Sequence, residues 1–204
     1  TTSSIVLYEF PAKTRSFVLY LTSRSVETID RFPRIARHLK RFRHLLDRRR
    51  EVRSGKIRWW ELHWPRRERL FIAPRILAPQ MGHHPRFAYA EHPTFVGFSV
   101  NLIAVKGFDE LPLPALAGIL ANRWFTRHAK RRGVHLEISG GTLRRFPLPE
   151  RDPALECQLL ELVEERRSAG QSDLDRRTQS ESAIEEVVRR LYGVGQSRRA
   201  APPG

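Results

Sequence analysis

Residues 55–87 read GKIRWWELHWPRRERLFIAPRILAPQMGHHPRF. Three of the four tryptophans of the chain, Trp59, Trp60 and Trp64, lie in this stretch. Five cations are interleaved with them: Lys56, Arg58, Arg66, Arg67 and Arg69. Lys and Arg neutralise phosphates, whereas aromatic rings pack on sugars or bases. The stretch therefore favours a polyanionic partner with flat faces, although large rings also anchor cores, and we expect that role for at least one tryptophan.

The positive charge of the chain is concentrated in its first three-quarters. The 204 residues carry a net charge of +15, and the pI is about 11.2. Residues 1–149 have 28 Lys and Arg against 11 Asp and Glu, whereas residues 150–204 have 9 against 11. Arg outnumbers Lys, which suits bidentate contacts to phosphate or guanine and is also typical of GC-rich genomes. The imbalance predicts an anionic partner for the first part and another role for the last.

Cysteine content and hydropathy indicate the compartment. The single Cys157 rules out an internal disulfide and a multi-cysteine zinc site, and it fits a reducing cytosol. No apolar run approaches the roughly 20 residues that span a bilayer. We expect a cytoplasmic protein that has no membrane association. The chain begins at Thr1 and not at Met, which is compatible with a piece of a longer protein.

Hydrophobic periodicity predicts an α+β fold with a mixed β-sheet and flanking helices. Short β-branched and aromatic runs predict strands at residues 5–10, 15–21, 75–79, 86–90 and 95–105, with a bulge or turn at Gly97. Apolar spacing predicts one helix after Asp30 and Pro33 that runs through Leu46, and another at residues 113–130. Residues 134–138 and 143–146 flank Ser139, Gly140 and Gly141, which predicts a hairpin.

The first predicted helix is unusually basic. Outside its apolar stripe it carries cations and histidines, and Asp47 alone interrupts them: Arg34, Arg37, His38, Lys40, Arg41, Arg43, His44, Arg48 and Arg49. Like charges three or four residues apart destabilise a helix. An anionic partner or an acidic neighbouring surface explains this face better than solvation does.

Composition divides the chain into three predicted segments. Residues 1–149 form an α+β domain, and residues 195–204 form a polar, disordered tail. Between them, residues 150–194 form a spacer or docking segment of two amphipathic helices, with a break at residues 168–173. These helices lean acidic, which is typical of packing on protein.

Catalytic motifs are absent from the sequence. It contains no Walker-type loop, no G-x-S-x-G elbow, no Asn-Pro-Pro-aromatic motif and no Gly-rich loop for S-adenosylmethionine. His83, His84 and His92 could bind a metal in principle, but adjacent histidines rarely share an ion and no acidic pair lies close by. We predict no catalytic or metal site, and we interpret these histidines as loop or DNA-contact residues.

Seven motifs occur in an order that is typical of one family. They are residues 30–42 (DRFPRIARHLKRF) with 46–49 (LDRR), 58–66 (RWWELHWPR), 74–79 (PRILAP), 86–89 (RFAY), 116–122 (LAGILAN), 146–149 (FPLP) and 184–193 (IEEVVRRLYG). Across residues 15–194 the chain resembles the TaqI-like C-terminal specificity domain of adenine-N6 DNA methyltransferases and fused restriction–modification enzymes. It departs from the family pattern at Phe32, where Tyr is common, and at Phe146, where Ile or Leu often leads.

The resemblance implies that residues 1–149 are a DNA target-recognition domain. Such a domain is a non-catalytic module that reads a short duplex sequence and presents the target adenine to a separate catalytic domain, in cis or in trans. That domain would bind S-adenosylmethionine, and this chain itself would hold no cofactor. We predict the following DNA-binding residues: Lys56, Arg58, Trp59, Trp60, Arg66, Arg67, His83, His84, Arg86, Arg144 and Arg145.

Three other interpretations remain open at this point. The chain could be the end of an intact methyltransferase or fused endonuclease with its catalytic motifs upstream. It could also be a basic RNA-binding protein, or a scaffold for acidic proteins. The scaffold explains the C-terminal helices better than it explains the Trp- and Arg-rich stretch at residues 55–87.

Overall fold

A computed structural model describes residues 8–9, 17–82, 84–104, 111–131, 138–169 and 173–194. The chain divides into two compact units. The small unit is Thr14–Glu68, and the large unit is Thr1–Lys13 together with Arg69–Gly204. This division differs from the predicted boundary at residue 150.

The small unit is built around a short apolar cluster. Leu21, Val26, Ile29 and Ala36 are buried, and the partly buried Ile35, Leu39, Trp59 and Trp60 pack against them. Three short helices follow one another: α1 (Pro33–Lys40), α2 (Arg43–Leu46) and α3 (Arg50–Arg53). Pro33 stands at the start of α1, where its fixed φ is favourable and its missing N–H costs nothing.

The helix predicted to run from Pro33 through Leu46 is interrupted. Phe42, with φ −106° and ψ 8°, separates α1 from α2. The last turn of each short helix carries cations or His, among them Arg37 and Lys40 in α1 and Arg53 in α3. Cations stabilise the C-terminal ends of helices, and three short helices offer three such ends.

The strand predicted at residues 15–21 is wrong in its described part. Residues 17–21 have no regular secondary structure, and Phe17 and Val18 are exposed. Leu21 is buried in the cluster of the small unit and its carbonyl oxygen accepts a hydrogen bond from the Leu62 amide at 2.8 Å. Residues 10–16 lie outside the described residues.

The large unit contains a mixed sheet of four strands within the described ranges. They are β1 (Tyr8–Glu9), β2 (Arg75–Pro79), β3 (Ala88–Ala90) and β4 (Val100–Ile103), in the order β1-β3-β2-β4. Strand β2 is antiparallel to both β3 and β4, and β1 is parallel to β3. The predicted α+β class with a mixed sheet is confirmed.

The central strand is the one that the sequence locates best. The prediction at residues 75–79 matches β2, in which all five residues are buried. A strand that is buried on both faces reads as a continuous apolar run, and prolines mark its limits. Strands β3 and β4 are shorter than the strands predicted at 86–90 and 95–105. The expected turn at Gly97 is present, since the Val100 amide donates a hydrogen bond to the Gly97 carbonyl oxygen at 3.3 Å.

The other α-helices in the described ranges belong to the large unit. They are α4 (Arg69–Ile72), α5 (Leu113–Ala121), α6 (Arg123–Arg131), α7 (Gly140–Arg145), α8 (Pro153–Ser168) and α9 (Leu174–Leu191). The single helix predicted at 113–130 is split at Asn122, which is extended with ψ 155°. The Asn122 side chain accepts a hydrogen bond from the Trp124 amide at 3.1 Å and so caps α6.

The predicted hairpin around Ser139 is wrong. Gly140 and Gly141 open helix α7, and the Ser139 hydroxyl accepts the Thr142 amide hydrogen at 3.1 Å. A Ser at the N-cap stabilises a helix start, and here it outweighs the turn preference of the Gly-Gly pair. Residues 132–137, which include most of the first predicted strand of that hairpin, lie outside the described residues.

The two C-terminal helices complete the core of the large unit. Asp152 and Asp173 cap α8 and α9, and the break between them falls where the sequence predicts it. Leu159 and Val163 of α8 and Ile184 of α9 are fully buried with Ile76 and Phe87 of the sheet region. The apolar faces of these helices thus pack in this core, and a spacer or docking role of residues 150–194 stays a prediction. The predicted tail at 195–204 lies outside the described residues.

In the part of the chain that the structure describes, no helix combines the length and apolar character required to cross a bilayer.

Candidate nucleic-acid interface

One face of helix α1 is cationic. Ile35, Ala36 and Leu39 lie toward the apolar cluster. The exposed residues Arg34, Arg37, His38 and Arg41 recur every three or four positions, so they share another face of the helix. Each like-charged pair at this spacing costs a few tenths of a kcal/mol. A bound polyanion would relieve this repulsion.

The acidic groups of the small unit are too few to neutralise its cations. Residues 14–68 contain 16 Lys and Arg against 6 Asp and Glu, which leaves a net charge of +10. Asp47 pairs with Arg43 at 3.3 Å, Glu61 lies 4.0 Å from Arg58, and Glu51 pairs with His63 at 3.0 Å. Two-thirds of the net charge of the chain therefore resides in about a quarter of its length.

Trp59 and Trp60, two of the predicted DNA-binding residues, serve as packing groups. Both rings are partly buried against the apolar cluster, and they meet edge to face with centroids 6.2 Å apart. The Arg43 guanidinium lies 5.1 Å from the Trp59 ring, and that of Arg58 lies 5.0 Å from the Trp60 ring. This placement matches the core role expected for at least one tryptophan. DNA contact by either ring stays a prediction.

Two arginines of the small unit, Arg49 and Arg58, hold a loop in place. Arg49 donates hydrogen bonds to the carbonyl oxygens of Leu46 at 3.1 Å, Glu61 at 2.7 Å and Trp59 at 2.6 Å. The Arg58 guanidinium donates to the Glu27 carbonyl, and its amide donates to the Glu61 carboxylate at 2.9 Å. The sequence shows both as cations among many, and only the tertiary contacts reveal their internal partners.

Lys56 and Arg67 lie at the surface of this unit, as does Arg58. All three side chains are exposed, whereas Arg66 is half-buried and its carbonyl oxygen accepts the Tyr20 hydroxyl hydrogen. Lys56 follows Gly55, whose φ of +70° lies in the left-handed region that glycine adopts without strain. These positions are compatible with contacts to a phosphate backbone.

Trp64 was missing from the predicted site residues, yet it is the outward-facing tryptophan of the small unit. Its side chain is 76% exposed, and its φ is +50°. A bulky residue in this region is strained by roughly 1–2 kcal/mol, and the following Pro65 restricts its backbone further. Strained residues persist where neighbouring contacts hold them, and they cluster at functional sites. Sequence alone gives no signal that separates Trp64 from Trp59 and Trp60.

The remaining predicted contacts belong to the large unit. His84 is exposed, Arg86 is half-buried, and Arg144 and Arg145 are exposed at the end of α7. His83 lies outside the described residues. The structure brings Arg144 and Arg145 together on one short helix; a contact of any of these residues with DNA stays a prediction.

Other cations of the large unit are internal. Arg75 is fully buried, donates to the carbonyl oxygens of Phe71, Thr94 and His92, and has its pKa lowered by burial. Arg166 is also buried, and its Nε donates to the Glu181 carboxylate at 2.7 Å. These two guanidiniums cannot meet a ligand at the surface.

Metal ligation finds no support in the described part of the chain, which contains no group of three or more His, Cys, Asp or Glu able to hold an ion.

Comparison with known proteins gives an informative likeness among solved structures. No family model matches the sequence, and no curated protein matches it. Among solved structures, the chain superposes on the Type IIL restriction–modification enzyme MmeI, determined in complex with DNA, with a TM-score of 0.58 and 12% identity. The two share a fold. The match covers 88% of this chain and 26% of that chain, so this protein spans about a quarter of the length of MmeI.

Proposed function

We propose that this chain recognises a short sequence in double-stranded DNA as part of a restriction–modification enzyme, and that it positions the site for a catalytic domain outside these 204 residues. The observation that carries the proposal is the small unit, whose 55 residues hold a net charge of +10 and a cationic helix face. The fold shared with an enzyme solved in complex with DNA supports it.

Contacts to phosphates and contacts to bases have different roles in this proposal. Phosphate contacts fix orientation and supply affinity, whereas base-edge contacts supply sequence specificity. We assign phosphate contacts to the exposed cations Arg34, Arg37, Lys56 and Arg67. Arg58 and Arg66 are further predicted DNA-binding residues, and each also makes contacts within the unit. Base readout falls to the predicted positions His83, His84, Arg86, Arg144 and Arg145.

The resemblance to TaqI-like specificity domains supports a finer proposal, in which the reaction is N6-methylation of adenine with S-adenosylmethionine bound by the catalytic domain. Sequencing that detects methylated bases, applied to the source genome with and without this gene, tests it. We expect a methylated adenine motif that disappears with the gene. Methylation that is unchanged by the deletion would contradict this assignment.

The central experiment measures binding of the full chain to a fluorescein-labelled duplex by anisotropy across a range of salt concentrations. We expect log K to fall linearly with log salt, by about 0.9 for each phosphate contacted. Competition with structured RNA belongs in the same assay. Salt-insensitive binding would contradict the proposal, and stronger competition by RNA than by unlabelled duplex would favour the RNA-binding alternative.

A matched pair of double variants tests whether the α1 face carries the contacts. Arg34→Gln with Arg37→Gln removes two exposed cations of that face, and we expect the salt slope to decrease by about 2. Arg176→Gln with Arg189→Gln removes the same net charge from α9, where the two residues pair with Glu165 and Glu186. Equal weakening by both double variants would show that net charge alone, and not the α1 face, drives binding.

A further inference from the structure

Trp64 lies at the tip of a loop that is fixed on both sides. The Leu62 amide donates to the Leu21 carbonyl at 2.8 Å, and the Tyr20 hydroxyl donates to the Arg66 carbonyl. The residues that hold the two sides of the loop, Tyr20 and Leu21, are consecutive in the sequence, so one segment fixes both sides. Arg49 holds the preceding turn through the carbonyls of Trp59 and Glu61. The exposed indole is therefore presented by an ordered backbone.

One side of the indole is already occupied. The His63 ring has its centroid 4.5 Å from that of Trp64, with the planes tilted by 34°. The Nε2 atom of His63 lies 3.0 Å from the Glu51 carboxylate of α3. The pKa of Glu51 is lowered, first by a hydrogen bond from its own backbone and then by His63, and its carboxylate orients the imidazole.

The open face of the Trp64 indole determines which kind of ligand it can bind. Because Trp64 is 76% exposed and the His63 ring packs beside it, we infer that one face of the indole is open, whereas full intercalation between base pairs requires two. A single open face can cover one base, and base–aromatic stacking is strong and tolerant of base identity. Trp59 and Trp60 cannot act in this way, because they are partly buried and have guanidiniums near their rings.

We propose that Trp64 caps one nucleobase that has left the duplex stack, which would make the small unit a reader of a displaced base as well as of the phosphate backbone. The inference rests on the proposed function, since it requires duplex binding. It adds a specific ligand, the flat face of a purine or pyrimidine base, which the positive charge of the unit alone does not predict. Trp64 also has a φ of +50°, and strained backbone of this kind clusters at functional sites.

The test compares a labelled duplex with the same duplex carrying one unpaired adenine, both bound by the full chain at constant salt. We expect the wild type to prefer the bulged duplex by about tenfold, since stacking on an exposed base is worth that order of affinity. Trp64→Ala should abolish the preference while it leaves affinity for the intact duplex almost unchanged. Trp64→Phe should retain part of it, because an aromatic face remains.

Two further measurements sharpen the outcome. With 2-aminopurine at the bulge, stacking on the indole should quench its fluorescence in the wild type but not in Trp64→Ala. Leu174→Ala, which truncates an exposed apolar residue of α9, is the control and should behave as wild type.

The two failures are distinguishable. A wild type without preference for the bulge, or a Trp64→Ala variant that keeps it, overturns this inference and leaves duplex recognition intact. A wild type that binds neither duplex overturns the proposed function itself.

Discussion

Arg49 shows how one cation of a basic segment differs from its neighbours. Its guanidinium satisfies three carbonyl oxygens, those of Leu46, Trp59 and Glu61, and is half-buried as a result. Arg48, one residue earlier, is exposed. A row of arginines in a sequence looks uniform, but each side chain takes the role that the surrounding backbone acceptors allow.

Replacement of Arg49 by Met should therefore destabilise the small unit. The change keeps the aliphatic stem but leaves carbonyls of the Trp59–Glu61 turn without a donor, at an expected cost of about 1–3 kcal/mol. Chemical denaturation followed by tryptophan fluorescence measures the effect. Arg48→Met is the control and should change the free energy of unfolding by less than about 0.5 kcal/mol. Equal effects of both variants would refute a stabilising role for the hydrogen bonds from Arg49 to these carbonyl oxygens.

Glu156 provides the residue-scale test of pH dependence. Its nearly buried carboxylate accepts hydrogen bonds from Arg151 at 2.5 and 2.7 Å, and these bonds are the main reason that its pKa lies below the usual 4.5. A carboxyl group whose pKa is lower in the folded state stabilises the fold above pH 4.5. This stabilisation is lost as the pH falls from 4.5 through the folded-state pKa.

Glu156→Gln should remove that dependence. We expect the wild type to be more stable than the variant at neutral pH, and the difference to shrink as the pH falls below about 4.5. Thermal unfolding of both proteins between pH 3 and pH 7, at about the same ionic strength throughout, measures it. Two parallel stability curves would show that the Arg151 contact does not contribute.

At the scale of elements, the packing of α5 on α8 depends on one glycine. A Cβ at Gly118 would lie 2.9 Å from Cγ2 of Val163 and 3.2 Å from Cδ1 of Leu159. Val is stiff in a helix, so it cannot rotate away from the new methyl group. The helices can approach this closely because Gly118 has no side chain.

Gly118→Ala should lower stability by about 1–2 kcal/mol, since overpacking outweighs the better helix propensity of Ala. Gly97→Ala, at a position with open space, is the control. A double-mutant cycle with Val163→Ala gives the coupling, because the smaller side chain makes room for the added methyl group. A double variant whose cost equals the sum of the single costs would exclude the predicted clash.

At the scale of the whole molecule, charge and buried apolar side chains are distributed unequally between the units. The small unit has four buried apolar residues in its cluster and a net charge of +10. The large unit has a core that joins the sheet to α5, α8 and α9. Self-repulsion destabilises a highly charged fold, and a small core offers little to offset it.

We therefore expect unfolding in two transitions, with the small unit first. In a Trp124→Phe variant the remaining tryptophans all belong to the small unit, so fluorescence reports its transition, whereas circular dichroism follows mainly the helices of the large unit. Duplex DNA at about 100 times its Kd should stabilise the first transition by roughly 2.7 kcal/mol. Coincident transitions by both probes would contradict this prediction.

The sequence by itself determined the α+β class, the central strand at Arg75–Pro79, the two C-terminal helices and the location of the positive charge. These features depend on local pattern: apolar runs, helical spacing and residue counts. The cap at Ser139, the break at Asn122 and the lack of a strand at residues 17–21 went against that pattern. A side-chain cap or the lack of a pairing partner can outweigh weak local preferences.

Only the tertiary structure decided which aromatic and cationic side chains face outward. Trp59 and Trp60 share the composition and neighbourhood of Trp64, yet two rings pack inward and one is exposed. Arg49, Arg75 and Arg166 likewise became internal donors while Arg34 and Arg67 stayed at the surface. The reason is physical, because burial depends on which distant backbone and side chains a residue meets after folding.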